Sequence, residues 1–297
     1  MPKRFAFTLI ELVFVIVIMG IIGKFGVEFL AQAYKSYIYE KINHTLQTNS
    51  GMAVEQIAKR LEYRIKDSVI ARTSKTAAPK PINDASGENY IVLEWIGYDN
   101  EGFRGITKPY WSGIIDLNQS SASILFSPDT NTSQINTLIK TLSSNDSNIS
   151  NAALYFIGSN SDVITDYGWD GNLTKINAQQ AAIHPIKNVP GQINQFQSSI
   201  AGVNFSGVDI YEYYQLVWTA YAIVYEAGTN NKGTLRLYWN YQPWEGESIS
   251  DAANSAILME NVSTFQFVSI GSIIKIQVCT KSDLLEEYSL CKEKTIM

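Results

Sequence analysis

Glu11 is the side chain whose position most demands chemistry. It lies inside an apolar run that opens at Phe5 and continues almost unbroken to Ile22. A carboxylate carried to the middle of a bilayer costs roughly 3 kcal/mol even on lenient insertion scales, so such an acid pairs with a cation or performs a function. A weaker cluster is Asp166-Tyr167-Gly168-Trp169-Asp170-Gly171, which has acids at the first and fifth places of a calcium loop and Gly at the sixth. Gly168 at the third place and Asn177 at the twelfth depart from that pattern. An Asp/Gly-rich turn is therefore the preferred reading, with Asp166 and Asp170 as the alternative calcium candidate and no other cofactor implied.

The third candidate is covalent. The chain holds eight Asn-x-Ser/Thr sequons, and four have an acid two residues before the Asn: Asp116 before Asn118, Asp129 before Asn131, Asp146 before Asn148 and Asp170 before Asn172. This longer pattern resembles the acceptor used by bacterial N-glycosylation systems, so these four asparagines are glycan candidates. The rival reading is an Asn/Ser/Asp-rich segment that generates matches through its own composition.

Nothing else assembles into a reactive set. His44 and His184 are the only histidines, and there is no Gly-x-Ser-x-Gly elbow, phosphate loop or four-ligand zinc set. Glu94, Asp99 and Glu101 lie near aromatics, where the acids of a carbohydrate hydrolase can sit, but solvated strand and turn residues are the expected reading. An enzyme is therefore not expected. Lys and Arg number 23 against 28 acids, for a net charge of −5. They are scattered, which argues against direct nucleic-acid binding.

The elements that must position these residues follow from periodicity. After the apolar run, Val54, Ile57, Ala58, Leu61, Ile65 and Val69 recur at three- and four-residue steps opposite Glu55, Lys59, Arg60, Glu62 and Lys66. This pattern predicts an amphipathic helix over 27–75, and Asn49-Ser50-Gly51 is where a break is expected if there is one. Residues 73–87, with Pro79 and Pro81, read as a loop. Beyond it the chain turns β-rich, with strands at 90–95, 123–127 and 153–157 and a long hairpin of 216–225 and 234–241. In the hairpin's second arm Leu235, Leu237, Trp239 and Tyr241 share one face. Ile274, Ile276 and Val278 alternate in the same way. Residues 118–197 are polar, poor in charge and too long for a simple loop, so they read as an insertion. The expected class is α+β: a long N-terminal helix packed on an antiparallel sheet domain, 76–297.

The N-terminal string Lys3-Arg4-Phe5-Ala6-Phe7-Thr8-Leu9-Ile10-Glu11 resembles the processing site of type IV prepilins and pseudopilins. The likeness covers about a tenth of the chain but is specific. It implies a leader of residues 1–6, cleavage after Ala6 by a prepilin peptidase, and N-methylation of the new terminus at Phe7. Glu11 then lies one helical turn from the new ammonium and can pair with it in the same subunit or in a neighbour. The neighbour pairing, which sets axial register, is the one the resemblance implies. Unlike a secretory signal, this cut leaves the hydrophobic segment, 7–26, on the mature chain.

Basic residues ahead of the span favour a cytoplasmic N-terminus, so the expected form is a single-pass inner-membrane protein with a periplasmic domain. Its expected partners are the membrane, the peptidase and other pilin-like helices. In that oxidising compartment Cys279 and Cys291 are expected to pair, worth roughly 3 kcal/mol. The tail, 257–267 followed by a strand and Cys291-Lys292-Glu293-Lys294, resembles more loosely the end of large minor pilins and of the J-type pseudopilin.

The chain departs from the family at two points: Ala6 stands where Gly usually precedes the cut, and Glu28 where many pilins have a helix-bending proline. Gly20, Gly23 and Gly26 allow close helix approach or local melting. The function implied is a structural subunit that initiates or caps a pilus or a type II secretion pseudopilus. A pilus-borne adhesin and a periplasmic enzyme tethered by a pilin-like helix are the alternatives.

Overall fold

The computed structural model describes residues 8–85, 89–159, 161–229, 232–282 and 288–297. It opens with α1, Leu9–Glu62, a single helix of 54 residues. At 1.5 Å per residue this is about 80 Å long. The helix runs unbroken through Gly20, Gly23, Gly26 and Gly51. At the expected break the Ser50 hydroxyl instead donates to the Leu46 carbonyl at 2.6 Å, keeping its polar group inside the helix.

The helix stops earlier than the spacing predicts, at Glu62 rather than near residue 72–75. Ile65 and Val69 keep the apolar period and are buried, but they lie beyond the helix. The sheet wins this segment. Ile65 donates its N–H to the Ile96 carbonyl at 2.8 Å, and the Ser68 hydroxyl accepts the Ile96 N–H at 3.0 Å. Ile70–Arg72 then forms strand β1. Tertiary pairing here overrides a helical period that local sequence alone would extend. Buried Arg64 fixes the exit. Its guanidinium donates to the carbonyls of Leu61 at 2.6 Å, Ser272 at 2.6 Å and Met297 at 3.4 Å.

The remaining elements are β2 (Lys80–Pro81), β3 (Val92–Tyr98), α2 (Asn100–Arg104), β4 (Leu125–Phe126), α3 (Thr132–Leu142), β5 (Ala153–Phe156), α4 (Thr174–Asn177), β6 (Ile183–Asn188), β7 (Gln195–Ser198), β8 (Tyr214–Glu226), β9 (Gly233–Trp239), β10 (Asn254–Ile270), β11 (Ile273–Lys281) and β12 (Ser289–Ile296). All strand pairings are antiparallel. The expected α+β class, a long helix on an antiparallel sheet, is the observed one. The loop expected at 73–87 does carry structure: β2 pairs with β1, and Ile82 is buried behind it.

The 13-residue strand β8 organises the sheet. Along one edge it pairs with β3. Along the other, its C-terminal half pairs with β9 and its N-terminal half with β5, so that Val217 faces Tyr98 on one side and Ala153 on the other. From β9 the sheet continues through β10 and β11 to β12, and from β5 through β6 and β7 to β4. The polar insertion is thus a second wing of the same sheet.

Helix α1 packs on β3, β10, β11 and β12, burying Ala53, Val54, Ile57, Ala58 and Leu61 against Leu93, Trp95, Leu237 and Ile276. The alternate residues of β3 and β8, among them Val92, Ile96, Ala222 and Val224, face the opposite side. There Tyr167, Trp169, Ile176 and Trp244 cover them. The expected single face of β9 breaks at its end, because Asn240 adopts φ +66°. Leu235, Leu237 and Trp239 face α1, while Tyr241 turns into the opposite core. Asn240 is itself buried: its amide donates to Asp146 and its oxygen accepts from Ser147.

Cys279 and Cys291 are joined by a disulfide and stand directly opposite each other on β11 and β12. It closes a loop with a sequence separation of 12, and removing it with Ser at both positions is expected to lower stability by about 3 kcal/mol. Urea unfolding of the two forms in detergent checks this; coincident midpoints would mean the β11–β12 ladder alone holds the edge.

Candidate functional site

The first α1 residue with a buried side chain is Ile42. Before it the helix projects clear of the domain, and its large apolar side chains are exposed, Leu9 at 82% and Ile10 at 77%. Leu9–Leu30 spans about 33 Å at 1.5 Å per residue, enough for a hydrocarbon core of about 30 Å. By length and composition this is the one described helix that could cross a membrane, and none of its apolar window is buried. The apolar surface continues past residue 26, the end expected from sequence, through Val27, Phe29 and Leu30. The charges in that stretch, Lys24 and Glu28, lie 3.9 Å apart one turn from each other. A bare apolar rod on a folded domain needs lipid or other apolar helices around it.

Glu11 sits at the tip of this rod in a reciprocal cap. Its carboxylate accepts the Thr8 N–H at 3.2 Å and the Thr8 hydroxyl at 3.1 Å, while the Glu11 N–H donates to the Thr8 hydroxyl oxygen at 3.4 Å. This is the capping-box arrangement. It points the carboxylate back along the helix toward the chain's beginning. Ala6 and Phe7, the two sides of the expected cut, lie outside the described residues.

The other candidates are scattered. Asp166 is committed elsewhere: Oδ1 accepts from Lys175 Nζ at 2.7 Å and Oδ2 from the Asp162 N–H at 2.9 Å. Asp170 accepts the Asn172 N–H at 3.0 Å, an Asx turn. Among the described residues no group of three or more His, Cys, Asp or Glu could hold a metal ion. Asn118 and Asn172 are exposed, whereas Asn131 and Asn148 are partly buried and use their side-chain oxygens to cap α3 and the 3-10 turn Ile149–Asn151.

Of the three acids expected to be solvated, Glu101 is exposed, and the other two are the clearest correction. Glu94 and Asp99 are both buried. Glu94 accepts from Arg72 Nε at 2.6 Å and from the Tyr241 hydroxyl at 3.0 Å, and Arg72 also donates to the carbonyls of Ala77 and Trp169. Burial pushes the Glu94 carboxyl above its usual range, opposed by the Arg72 charge. The group ties β1, β3 and the loop after β9 to the far cover of the sheet, a structural role. Alternation along β3 could have revealed that Glu94 lies between two covered faces, but only if the insertion had been recognised as the second cover.

His184 is buried too. Desolvation lowers it to about 4, and its Nδ1 lies 3.1 Å from Gln179 Oε1. His44 is exposed on α1. A groove of about 510 Å³ runs beside the C-terminal end of α1, lined by Lys59, Arg60, Arg104 and Glu101 among Tyr63, Tyr98, Trp218 and Trp239. It contains no paired nucleophile and base. Among the described residues, the N-terminal rod combines an unpartnered apolar surface with a carboxylate at its tip. No family model, no curated protein and no solved structure matches this chain.

Proposed function

We propose that this chain is a structural subunit of the type IV pilin kind, a minor pilin or pseudopilin that helps initiate or cap a filament. The observation that supports this most is the projecting apolar half of α1 with Glu11 at its tip, preceded by the Lys3-to-Glu11 string. In this reading the uncut chain waits in the inner membrane with its domain in the periplasm. Peptidase cleavage after Ala6 frees the Phe7 ammonium, which then pairs with the Glu11 carboxylate of a neighbouring subunit. That pairing converts two separately costly charges in an apolar core into one neutral contact. The apolar helices bundle around it, and the sheet domain, with its insertion wing, faces outward and distinguishes this subunit from others.

The mature N-terminus of protein recovered from membranes tests the reading. A terminus at N-methylated Phe7 is the expected result. Retention of Met1 would leave a plain membrane anchor and remove the filament reading's main support.

A further inference from the structure

We propose that Asn118 and Asn172 are acceptor sites for an N-linked oligosaccharide, and that Asn131 and Asn148, which carry the same motif, are not. The inference rests on the periplasmic placement of the domain proposed above. Six acids lie between residues 116 and 174, and four of them stand two residues before a sequon Asn. Acids fill about one position in ten of that stretch, so composition alone gives about half a case among its five sequons. The spacing is therefore a pattern within the segment's composition rather than a by-product of it.

The fold then separates the four. Asn118 is exposed in a turn, and its side chain makes no hydrogen bond among the described residues. Asp116 accepts the Asn118 N–H at 2.9 Å, which kinks the motif outward. Asn172 is exposed in the same local geometry, with Asp170 accepting its N–H at 3.0 Å. Its Oδ1 accepts the Thr174 N–H at 3.2 Å and the Thr174 hydroxyl at 2.8 Å at the exposed start of the four-residue α4, so the two sequon side chains already meet while Nδ2 has no described partner.

Asn131 instead begins α3, with the middle residue of its sequon, Thr132, buried. Asn148 caps a 3-10 turn, and its acid, Asp146, is held by buried Asn240. Presenting either motif to a transferase would require buried sequon residues, Thr132 in one and Ile149 in the other, to leave the core, and the Asp146–Asn240 bond to open in the second. Neither Asn118 nor Asn172 lies on an element that α1 packs against, so glycans there leave the assembly helix uncovered.

The donor class is a polyprenyl-pyrophosphate-linked oligosaccharide. The Asn Nδ2 forms a bond to the anomeric carbon, and the bond from that carbon to the pyrophosphate oxygen breaks. Polyprenyl pyrophosphate leaves with the electron pair, and the amide proton passes to a base of the transferase.

The test is glycopeptide mass spectrometry on protein recovered from the cells that make it, with a digest that cuts at Phe126 and so separates Asn118 from Asn131. The N-terminus is read from the same sample. Added sugar mass on the Asn118 and Asn172 peptides, and none on those of Asn131 and Asn148, is expected. Asp116→Ala should lower occupancy at Asn118 at least ten-fold and leave Asn172 unchanged as the internal control. Bare Asn118 and Asn172 on a chain processed at Phe7 overturn the inference alone, as does equal modification of Asn131 or Asn148. A Met1 terminus on a glycosylated chain overturns the pilin reading and leaves the glycan sites standing.

Discussion

If the chain assembles as proposed, Glu11→Gln is expected to be inserted, cut and folded, yet to enter filaments about a hundred-fold less than the parent. Gln retains what the carboxylate does within the chain, because a capping box accepts Glu or Gln at this position and the Thr8 bonds at 3.1–3.2 Å can be remade by an amide oxygen. What Gln cannot do is neutralise an ammonium in an apolar bundle. Leaving that charge unpaired costs roughly 3 kcal/mol per subunit, which is about a hundred-fold in an association constant. Glu11→Ala loses the cap as well, so comparing the two separates helix capping from charge pairing. The measurement is the fraction of chain in sheared or pelleted filaments against the fraction in membranes, with the N-terminus checked in both. If Glu11→Gln assembles like the parent, Glu11 is a helix cap and nothing more. If neither variant is cut, Glu11 acts before assembly, at processing, and the expectation that Glu11→Gln is still cut is wrong.

Much of the scaffold around that site was legible because it depends on short-range pattern. The apolar run, the three- and four-residue steps from Val54 to Leu61, and the alternation of Leu235 with Leu237 and of Ile274 with Val278 are each dictated by one buried face. The pairing of Cys279 with Cys291 followed from an expected compartment, and the register of β11 against β12 places the two side by side. What failed depended on long-range partners. Ile65 and Val69 fit a helical period, but the Ile96 carbonyl and N–H claim that segment for the sheet edge. Glu94 looked like a solvated strand residue, since nothing in its neighbourhood says that Tyr167, Trp169 and Trp244, 70 to 150 residues later, cover its face. The same missing cover hid the role of the insertion. A polar composition reads as loop, yet Ile135, Ile139, Leu154, Ile186 and Phe196 within it build a core of their own against the first half of β8. Glu11 itself was legible because an acid in an apolar run is conspicuous without any partner in view.

Asp99→Asn flattens the dependence of stability on pH between about 4 and 7 and leaves the variant about 4 kcal/mol better placed, relative to the parent, at about pH 8 than at about pH 4. Asp99 lies between β3 and α2 as the N-cap of α2, with its Oδ1 accepting the Gly102 N–H at 3.0 Å. Its Oδ2 is buried without a hydrogen-bond partner. Gly102 makes the arrangement possible, because a Cβ there would lie 1.9 Å from that oxygen. Burial, reinforced by the nearby Glu101 charge, pushes the carboxyl up from 3.8 to about 7 against the Gly102 bond that favours ionisation. The sign follows from proton counts. Between pH 3.8 and about 7 the folded chain keeps a proton that the unfolded chain has released, so stability falls as pH rises through that window, by about 4 kcal/mol once ionisation is complete. Below 3.8 both states hold the proton and the term is flat. Asn caps a helix as well as Asp does and never ionises, so the variant lacks this slope. An unpaired amide N–H in the Oδ2 position would add a constant offset, which leaves the slope difference untouched. Urea midpoints at half-unit steps from about pH 4 to pH 8 measure it. Parallel curves for the two proteins would mean that Asp99 titrates alike in the folded and unfolded chains, and that its buried oxygen is solvated in the folded protein.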